Sequence, residues 1–193
     1  FEAECPYYVL LEFETDDASM EAALAGFEYC AEQGWLVDGV VSQSQTQAAA
    51  LWRLREDITE SIAPYLPYKN DISVRISQVA DFLAAMDQLF ASQYPDFEVV
   101  WFGHIGDGNL HISVLKPEDM DKSAFVSECG RVSQLLFATL QKFGGSISAE
   151  HGVGLTKKPY LHYTRRPEEV AYLRAIKQAF DPNHILNPGK VFD

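Results

Sequence analysis

The 193-residue chain carries a net charge of −13, with 47% hydrophobic and 12% aromatic residues. This composition is typical of a globular protein with a well-formed core. So acidic a surface repels phosphate backbones and anionic lipids, which argues against nucleic-acid binding and membrane adsorption. No run approaches the roughly 20 apolar residues of a membrane-spanning helix, so we expect no transmembrane segment.

Hydrophobic periodicity and turn residues predict the elements in chain order. The predictions are a strand over 7–14, a helix over 19–34, a strand over 35–42, a helix over 44–65 halted by Pro64, a strand over 68–76, a helix over 78–94 capped by Ser77, a hairpin over 97–115, a helix of about two dozen residues ending at Gly144-Gly145, a short strand over 146–150, a helix opened by Pro167, and an irregular tail. Because the hairpin is antiparallel, we predict an α+β fold with a largely antiparallel sheet flanked by helices.

The chain starts without a methionine and is strand-like from its first residues, which suggests the C-terminal piece of a longer protein. We expect residues 1–193 to form a single domain. The odd set Cys5, Cys30 and Cys129 has no metal-like spacing. Such thiols favour a reducing compartment, so we expect a cytoplasmic protein.

The segment 101–114 carries two histidines around a glycine-rich turn. Asp107 and Gly108 are typical of a type I′ turn, in which both central residues adopt positive φ. A two-residue loop at these positions places His104 directly opposite His111, with Cβ atoms about 4.5–5.5 Å apart. Strand alternation puts both histidines on one face and the apolar residues on the other. Two imidazoles in that register can share a metal ion.

The same pattern also fits a simpler interpretation, a polar hairpin face whose neutral histidines bond to water or backbone. Two ligands are also too few, and the best candidate for a third is Glu150, where the strand 146–150 runs into Glu-His-Gly-Val-Gly. Neighbours on a strand point to opposite sides, so we expect Glu150 and His151 to have different roles, one as ligand and one as acid or base. The alternative is a strand exit whose glycines only satisfy geometry.

Three ordered motifs, GHIGDGNLH, SISAEHGVG and FDPNHILNPGKVF, resemble the C-terminal domain of FAD-linked 2-hydroxy-acid dehydrogenases and oxidases in the vanillyl-alcohol oxidase superfamily. This group includes enzymes for D-2-hydroxyglutarate and D-lactate and the flavin subunit of glycolate oxidase. The resemblance runs from about residue 7 to the end of the chain. It implies a ferredoxin-like, antiparallel cap on a separate FAD-binding domain, which would lie upstream.

The resemblance also implies roles for the histidines and the glutamate. His104, His111 and Glu150 match the ligands of a divalent metal, usually zinc, in members that act on D-2-hydroxyglutarate. His151 matches the proposed catalytic base of those members. Two imidazoles and a carboxylate leave coordination positions open for substrate, as catalytic metal sites do.

Arg55 and Thr59 stand four residues apart on a predicted helix and share one face. The planar guanidinium suits a carboxylate because it donates two parallel hydrogen bonds. Spacing alone is equally explained by a surface salt bridge with neighbouring acidic residues. The resemblance assigns both residues, together with Lys69, to binding of the substrate.

Two features of the chain concern the substrate and the flavin. Ser113 stands where family members that act on hydroxyglutarate tend to have a substrate-contacting Asn, so the substrate within the group stays open. The tail 181–193, with Asn187 and Lys190, matches the segment that returns to the flavin, so we expect it to contact the FAD-binding domain. A plain C-terminal turn explains the same residues without a ligand.

The implied reaction converts a small D-2-hydroxy acid to the 2-oxo acid while FAD is reduced. An electron acceptor that the sequence does not identify would then reoxidise the flavin. Two other functions fit the same residues: a metal-dependent hydrolase, or a non-catalytic cap. We expect this chain alone to be neither yellow nor active, because it shows no phosphate-cradling glycine loop.

Overall fold

The computed structural model describes residues 5, 8–14 and 16–192. Contacts divide the chain into two compact units, residues 1–61 and 62–193. The described helices are α1 (Asp17–Glu32), α2 (Gln45–Glu56), α3 (Ile58–Ile62), α4 (Val79–Gln93), α5 (Lys122–Lys142) and α6 (Pro167–Phe180), with short 3-10 helices at Ala63–Tyr65, Ile76–Gln78 and Lys158–Tyr163. The strands are β1 (Tyr68–Ser73), β2 (Val99–His104) and β3 (Asn109–Val114).

Helix starts follow the capping residues of the sequence. Asp16 caps α1 by accepting the backbone N–H of Ser19 at 2.7 Å, and Ser44 caps α2 by accepting that of Gln47 at 3.2 Å. Asp121 caps α5 in the same way. These side chains satisfy N–H groups that lack a partner within the first turn. Ser77, however, was wrongly predicted as a cap, because a 3-10 turn over Ile76–Gln78 precedes α4.

The predicted helix over 44–65 is interrupted. It is divided into α2, α3 and the 3-10 turn at Ala63–Tyr65 that holds Pro64. The first break falls at Asp57, whose N–H still bonds to the Arg53 carbonyl at 3.0 Å and whose carboxylate pairs with the Arg53 guanidinium at 2.9 Å. Proline has no N–H to continue the helical ladder, which explains the second break.

Two predicted strands are wrong as far as the structure describes them. Residues 8–14 and 35–42 carry no strand, and residue 7 lies outside the described residues. Residues 8–14 are exposed throughout. An extended segment is stabilised as a strand only when a partner satisfies its backbone groups, and no ladder among the described residues includes either segment.

The sheet is antiparallel with the order β1-β3-β2. Its register pairs Asp71 with His111 between β1 and β3, and Phe102 with His111 between β2 and β3. The predicted strand over 146–150 is reduced to one bridge between Ser73 and Ser146. The rest of that segment turns away from the sheet, because its N–H groups bond to the Asp71 carboxylate.

One face of the sheet packs with α4 and α5 into the hydrophobic core. The rings of Phe82 on α4 and Phe137 on α5 are fully buried, and burial of such a side chain contributes about 1.5–3 kcal/mol. The core members on the strands are Ile72, Leu110, Ile112 and Val114. The predicted α+β fold with an antiparallel sheet is therefore confirmed. Among the described helices, none combines the length and apolarity needed to cross a bilayer.

The hairpin register differs from the predicted one by two residues. His104 pairs with Asn109, so the loop has four residues rather than two. Of the two central residues, only Gly108 has positive φ, at 74°, which rules out the predicted type I′ turn. The Asp107 carboxylate accepts the N–H of Asn109 at 3.0 Å, an Asx-type bond that favours the longer loop. A shift of two preserves the faces, because side chains alternate with a period of two.

Gly108→Ala is expected to lower the free energy of unfolding by about 1–3 kcal/mol. A Cβ at this position would lie 1.9 Å from the carbonyl oxygen of Val74, and φ is +74°. Urea denaturation at neutral pH measures the change. Gly106→Ala is the matched control, because a Cβ there meets nothing within 4 Å. Equal midpoints for the two variants would show that the close approach to Val74 is not restrictive.

Candidate metal and substrate site

The second face of the sheet is polar and holds four of the predicted site residues of the second unit, namely Lys69, His104, His111 and Ser113. Lys69 on β1 pairs with Ser113 on β3, and one step along the strands Asp71 pairs with His111. His104 lies on the same face at the end of β2. Ser113 is buried, whereas Lys69 and His104 are exposed. Alternation along three neighbouring strands therefore gathers these side chains on one surface.

The segment 148–151 wraps around one oxygen of Asp71. Asp71 Oδ2 accepts the backbone N–H groups of Ala149 at 3.0 Å, Glu150 at 3.1 Å and His151 at 3.1 Å. Three successive N–H groups that point at one carboxylate require a curved backbone, which is why the predicted strand stops after Ser146. The expectation that Glu150 and His151 point to opposite sides is wrong for the same reason. His151 Nε2 lies 3.7 Å from Glu150 Oε1.

His111 lies between two carboxylates. Its Nδ1 is 3.7 Å from Asp71 Oδ1, and its Nε2 is 3.4 Å from Glu150 Oε1. The three side chains place one ligand atom each within 4.8 Å of one another. Burial lowers the pKa of His111 despite the opposing effect of Asp71 and Glu150. The neutral imidazole is the form that binds metal ions.

Two further histidines border this cluster. The ring of His104 lies 6.3 Å from that of His111, centre to centre, at an interplanar angle of 80°. The ring of His151 is stacked beside His111 at 5.7 Å, and its side chain is 66% exposed. The structure thus brings all three histidines and Glu150 to one surface, although their individual roles stay predictions.

Asp71 is charged and buried, with an exposed fraction of 3%. Burial acts to raise the pKa of this carboxyl, but the N–H groups of His151 and Glu150 and the charge of Lys157 outweigh it, so the pKa is lowered. Lys157 is itself buried and donates to the Asp71 carbonyl oxygen at 2.5 Å. Burial lowers the pKa of Lys157, and Asp71 opposes that shift.

The donors in this cluster fit a divalent metal ion. Asp71 Oδ1 is buried and receives no hydrogen bond from any residue that the structure describes. An imidazole nitrogen with carboxylate oxygens is a donor set that zinc accepts. Glu150 is 52% exposed, so the side of the cluster that it forms is open to a small molecule. An open side is what separates a catalytic metal site from a closed structural one.

Sequence reasoning missed Asp71 and Lys157. The signal for Asp71 was its place two residues after Lys69 in the predicted strand 68–76, hence on the same face. That signal becomes useful only when β1 is known to pair with β3. Nothing in the local sequence of Lys157 predicts that it is buried.

Arg55 and Thr59 belong to the first unit. Both are exposed, and the break at Asp57 separates α2, which holds Arg55, from α3, which holds Thr59. The expected single helix face is therefore interrupted. Their part in substrate binding stays a prediction.

The tail after α6 is irregular over 181–192, as predicted. The Lys190 ammonium donates to the Asn187 side chain at 2.7 Å, and both residues are exposed. The Lys158 ammonium donates to the Gly189 carbonyl at 3.0 Å, which holds this turn beside the 3-10 helix. Contact of the tail with a flavin or an FAD-binding domain stays a prediction.

Asp181 organises the start of the tail. Its carboxylate contacts the Lys177 ammonium and accepts the N–H groups of Ile185 and Leu186, both at 2.9 Å. The Lys177 contact and these N–H groups lower the pKa of Asp181 to about 2, although burial acts to raise it.

The stabilisation from Asp181 is expected to depend on pH. Because the pKa is lower in the folded state than the value of about 3.9 usual for an unfolded chain, the contribution is complete above about pH 5 and is lost as pH falls towards 2. Wild type and Asp181→Asn should therefore differ most in free energy of unfolding near pH 6 and least near pH 2.5. Denaturant titrations at pH 6, 4 and 2.5 measure this, and a gap that is constant with pH would contradict it.

The polar face of the sheet borders a possible metal site formed by Asp71, His111 and Glu150. The family model "FAD linked oxidases, C-terminal domain" matches residues 1–191, and the chain belongs to this family. The chain is 57% identical over 193 residues to D-2-hydroxyglutarate dehydrogenase of Stutzerimonas stutzeri (strain A1501). The aligned region covers 100% of the chain and 42% of that relative.

Other relatives show the same partial coverage. Identity is 60% over 189 residues with D-2-hydroxyglutarate dehydrogenase of Xanthomonas citri pv. viticola, covering 97% of the chain and 40% of the relative. A putative mitochondrial D-lactate dehydrogenase of Schizosaccharomyces pombe is 34% identical over 204 residues, covering 98% of the chain and 37% of the relative. The chain thus spans less than half the length of these relatives.

Proposed function

We propose that the protein containing this chain oxidises a D-2-hydroxy acid to the 2-oxo acid with FAD, and that the chain supplies the metal and substrate ligands. The observation that carries the proposal is the convergence of His111, on the polar face of the sheet, with Glu150 and His151 of the segment 148–151. The relatives at 57% and 60% identity are named for D-2-hydroxyglutarate, which we propose as the substrate. An upstream FAD-binding domain would supply the flavin site.

In this proposal His104, His111 and Glu150 hold the metal, and zinc is a metal that such donor atoms bind. A divalent metal held by these residues would supply Lewis-acid chemistry at the substrate hydroxyl. Bound FAD would supply the redox chemistry, as the acceptor of the hydride from the substrate carbon. The free thiols of Cys30 and Cys129 support a cytoplasmic location, which we also propose.

The chain's own residues bind the acid and move one proton. His151 accepts the proton of the substrate hydroxyl, because its ring is exposed and lies beside His111 and Glu150. Lys69, which is exposed, provides a charge for the far end of the substrate. Ser113 lies opposite it at 1% exposure, so its hydroxyl contacts the substrate only if the side chains that cover it move. Arg55 and Thr59 bind a carboxylate, since a guanidinium fork matches its two oxygens.

The test uses the full-length protein with D-2-hydroxyglutarate, D-lactate and D-malate and an artificial electron acceptor. We expect the highest kcat/KM with D-2-hydroxyglutarate, loss of turnover after treatment with a chelator, and recovery on addition of Zn²⁺. Absence of turnover with all three acids contradicts the proposed reaction. Turnover that chelation does not affect contradicts the metal alone.

A further inference from the structure

The two oxygens of the Asp71 carboxylate have different surroundings. Oδ2 accepts three backbone N–H groups of the segment 149–151 at 3.0–3.1 Å, and Ser148 Oγ lies 3.3 Å from it. Oδ1 has no such donor and faces His111 Nδ1 at 3.7 Å. One carboxylate thus contacts both the segment that carries Glu150 and His151 and the ring of His111.

Lys157 fixes the position of this carboxylate. Its ammonium donates to the Asp71 carbonyl oxygen at 2.5 Å and lies 3.8 Å from Oδ2. The two side chains are 11% and 3% exposed. A buried carboxylate that is paired with a cation and satisfied by N–H groups has little freedom to turn towards a new ligand.

His111 presents different nitrogens to two different environments. Nδ1 faces the buried Asp71, whereas Nε2 faces Glu150, whose side chain is 52% exposed. A catalytic metal must keep coordination positions that substrate can reach, so the Nε2 side is the one that suits it. In metal sites, a ligand histidine commonly donates its other N–H to a carboxylate, which fixes the tautomer and the ring orientation.

We propose that Asp71 is the positioning residue of this site and is not itself a metal ligand. Oδ2 holds the 149–151 backbone so that Glu150 and His151 face the site. Oδ1 faces His111 Nδ1 at 3.7 Å, outside hydrogen-bond distance, and a small rotation of the ring would bring the Nδ1 proton onto Oδ1 and leave the Nε2 lone pair for the metal. This inference rests on the proposed function for the identity of the site, and it assigns the third ligand position to His104.

Asp71→Asn separates the two contacts. The amide oxygen can still accept the N–H groups of the 149–151 segment, but the amide NH₂ then faces His111 Nδ1. Since a donor cannot accept the Nδ1 proton, the proton is expected on Nε2, the nitrogen that binds the metal. In the metal-free full-length protein at pH 8, the ¹⁵N shifts of the His111 ring nitrogens should report Nδ1–H in wild type and Nε2–H in Asp71→Asn.

Metal affinity is the second readout. Zn²⁺ titrated into the metal-free protein should bind about 10–100-fold more weakly to Asp71→Asn than to wild type, the range typical for loss of a partner of a ligand histidine. His104→Ala, which removes a direct ligand, should weaken binding more. Asp181→Asn is the matched control, because Asp181 is a buried carboxylate that accepts two backbone N–H groups and pairs with a lysine. Its Zn²⁺ affinity should equal that of wild type.

The outcomes distinguish Asp71 as a positioning residue from Asp71 as a metal ligand. Wild-type affinity together with an unchanged His111 tautomer in Asp71→Asn overturns the inference. Wild-type affinity in His104→Ala with abolished binding in Asp71→Asn shows that Asp71 is the ligand, and overturns it as well. If wild type takes up no Zn²⁺, the metal part of the proposed function fails. The tautomer measurement then still decides whether Asp71 positions His111.

Discussion

His151→Ala in the full-length protein is expected to lower kcat for D-2-hydroxyglutarate by about 10²–10⁴-fold, the usual contribution of a general acid or base. KM should change little, because a proton acceptor acts mainly in the transition state. The ring of His151 is 66% exposed and lies beside His111, so its removal leaves a gap that solvent can reach. Added imidazole should therefore restore part of the lost rate. Steady-state kinetics with and without imidazole measure both effects.

The control for this variant is His162→Ala. His162 is an exposed histidine on the 3-10 helix Lys158–Tyr163, where its ring packs against Tyr163. It lies in none of the site motifs, so kcat should stay at the wild-type value. A His151→Ala enzyme with near-normal kcat would move the base elsewhere, and Lys69 on the same face as His111 would be tested next.

The hairpin shows what a sequence pattern can establish. Apolar and polar alternation assigned His104 and His111 to one face, and the structure agrees. The register was wrong because the length of the loop depends on a side-chain bond from Asp107 to the Asn109 N–H, which competes with the two-residue turn. A displacement by two residues leaves each side chain on its original face of the sheet. The two histidines were therefore assigned to the correct face even though the predicted pairing of His104 with His111 was wrong.

Long-range contacts explain what the sequence did not predict. The segment 146–150 has the composition of a strand, yet the N–H groups of Ala149, Glu150 and the following His151 bond to a carboxylate 78–80 residues away in the chain. In the local sequence, Asp71 is only one of the polar residues of an alternating strand. Only the pairing of β1 with β3 places it opposite His111, and strand order cannot be obtained from alternation within one strand.

The predicted strands over 7–14 and 35–42 failed for a related reason. Their branched and aromatic residues favour an extended backbone, but β propensity measures how a residue packs on a sheet that is already present. In the first unit, the described residues of α1 and α2 include no buried side chain. Among the described residues of the first unit no sheet forms, so neither segment is a strand there.

Arg55→Ala in the full-length protein is expected to raise KM for D-2-hydroxyglutarate by about 10–150-fold, since a hydrogen bond to a charged group contributes roughly 1.5–3 kcal/mol. The carboxylate of the substrate is present in both the ground state and the transition state, so kcat should change much less than KM. Arg55→Lys should recover little of this loss, because an ammonium cannot donate two parallel hydrogen bonds from one plane. Steady-state kinetics on D-2-hydroxyglutarate, D-lactate and D-malate measure the three enzymes together.

Arg53→Ala provides the matched control on the same helix. Arg53 is a 75% exposed arginine that pairs with Asp57 at 2.9 Å, an exposed i,i+4 ion pair that contributes about 0.3–0.5 kcal/mol to stability. Its loss should leave KM unchanged, whereas a general effect of charge on an acidic protein would raise KM equally in both alanine variants. A wild-type KM in Arg55→Ala for every acid that is turned over would remove Arg55 from the substrate site. Recovery in Arg55→Lys would show instead that position 55 needs only a positive charge, because the two side chains share that charge and differ in the geometry of their donors.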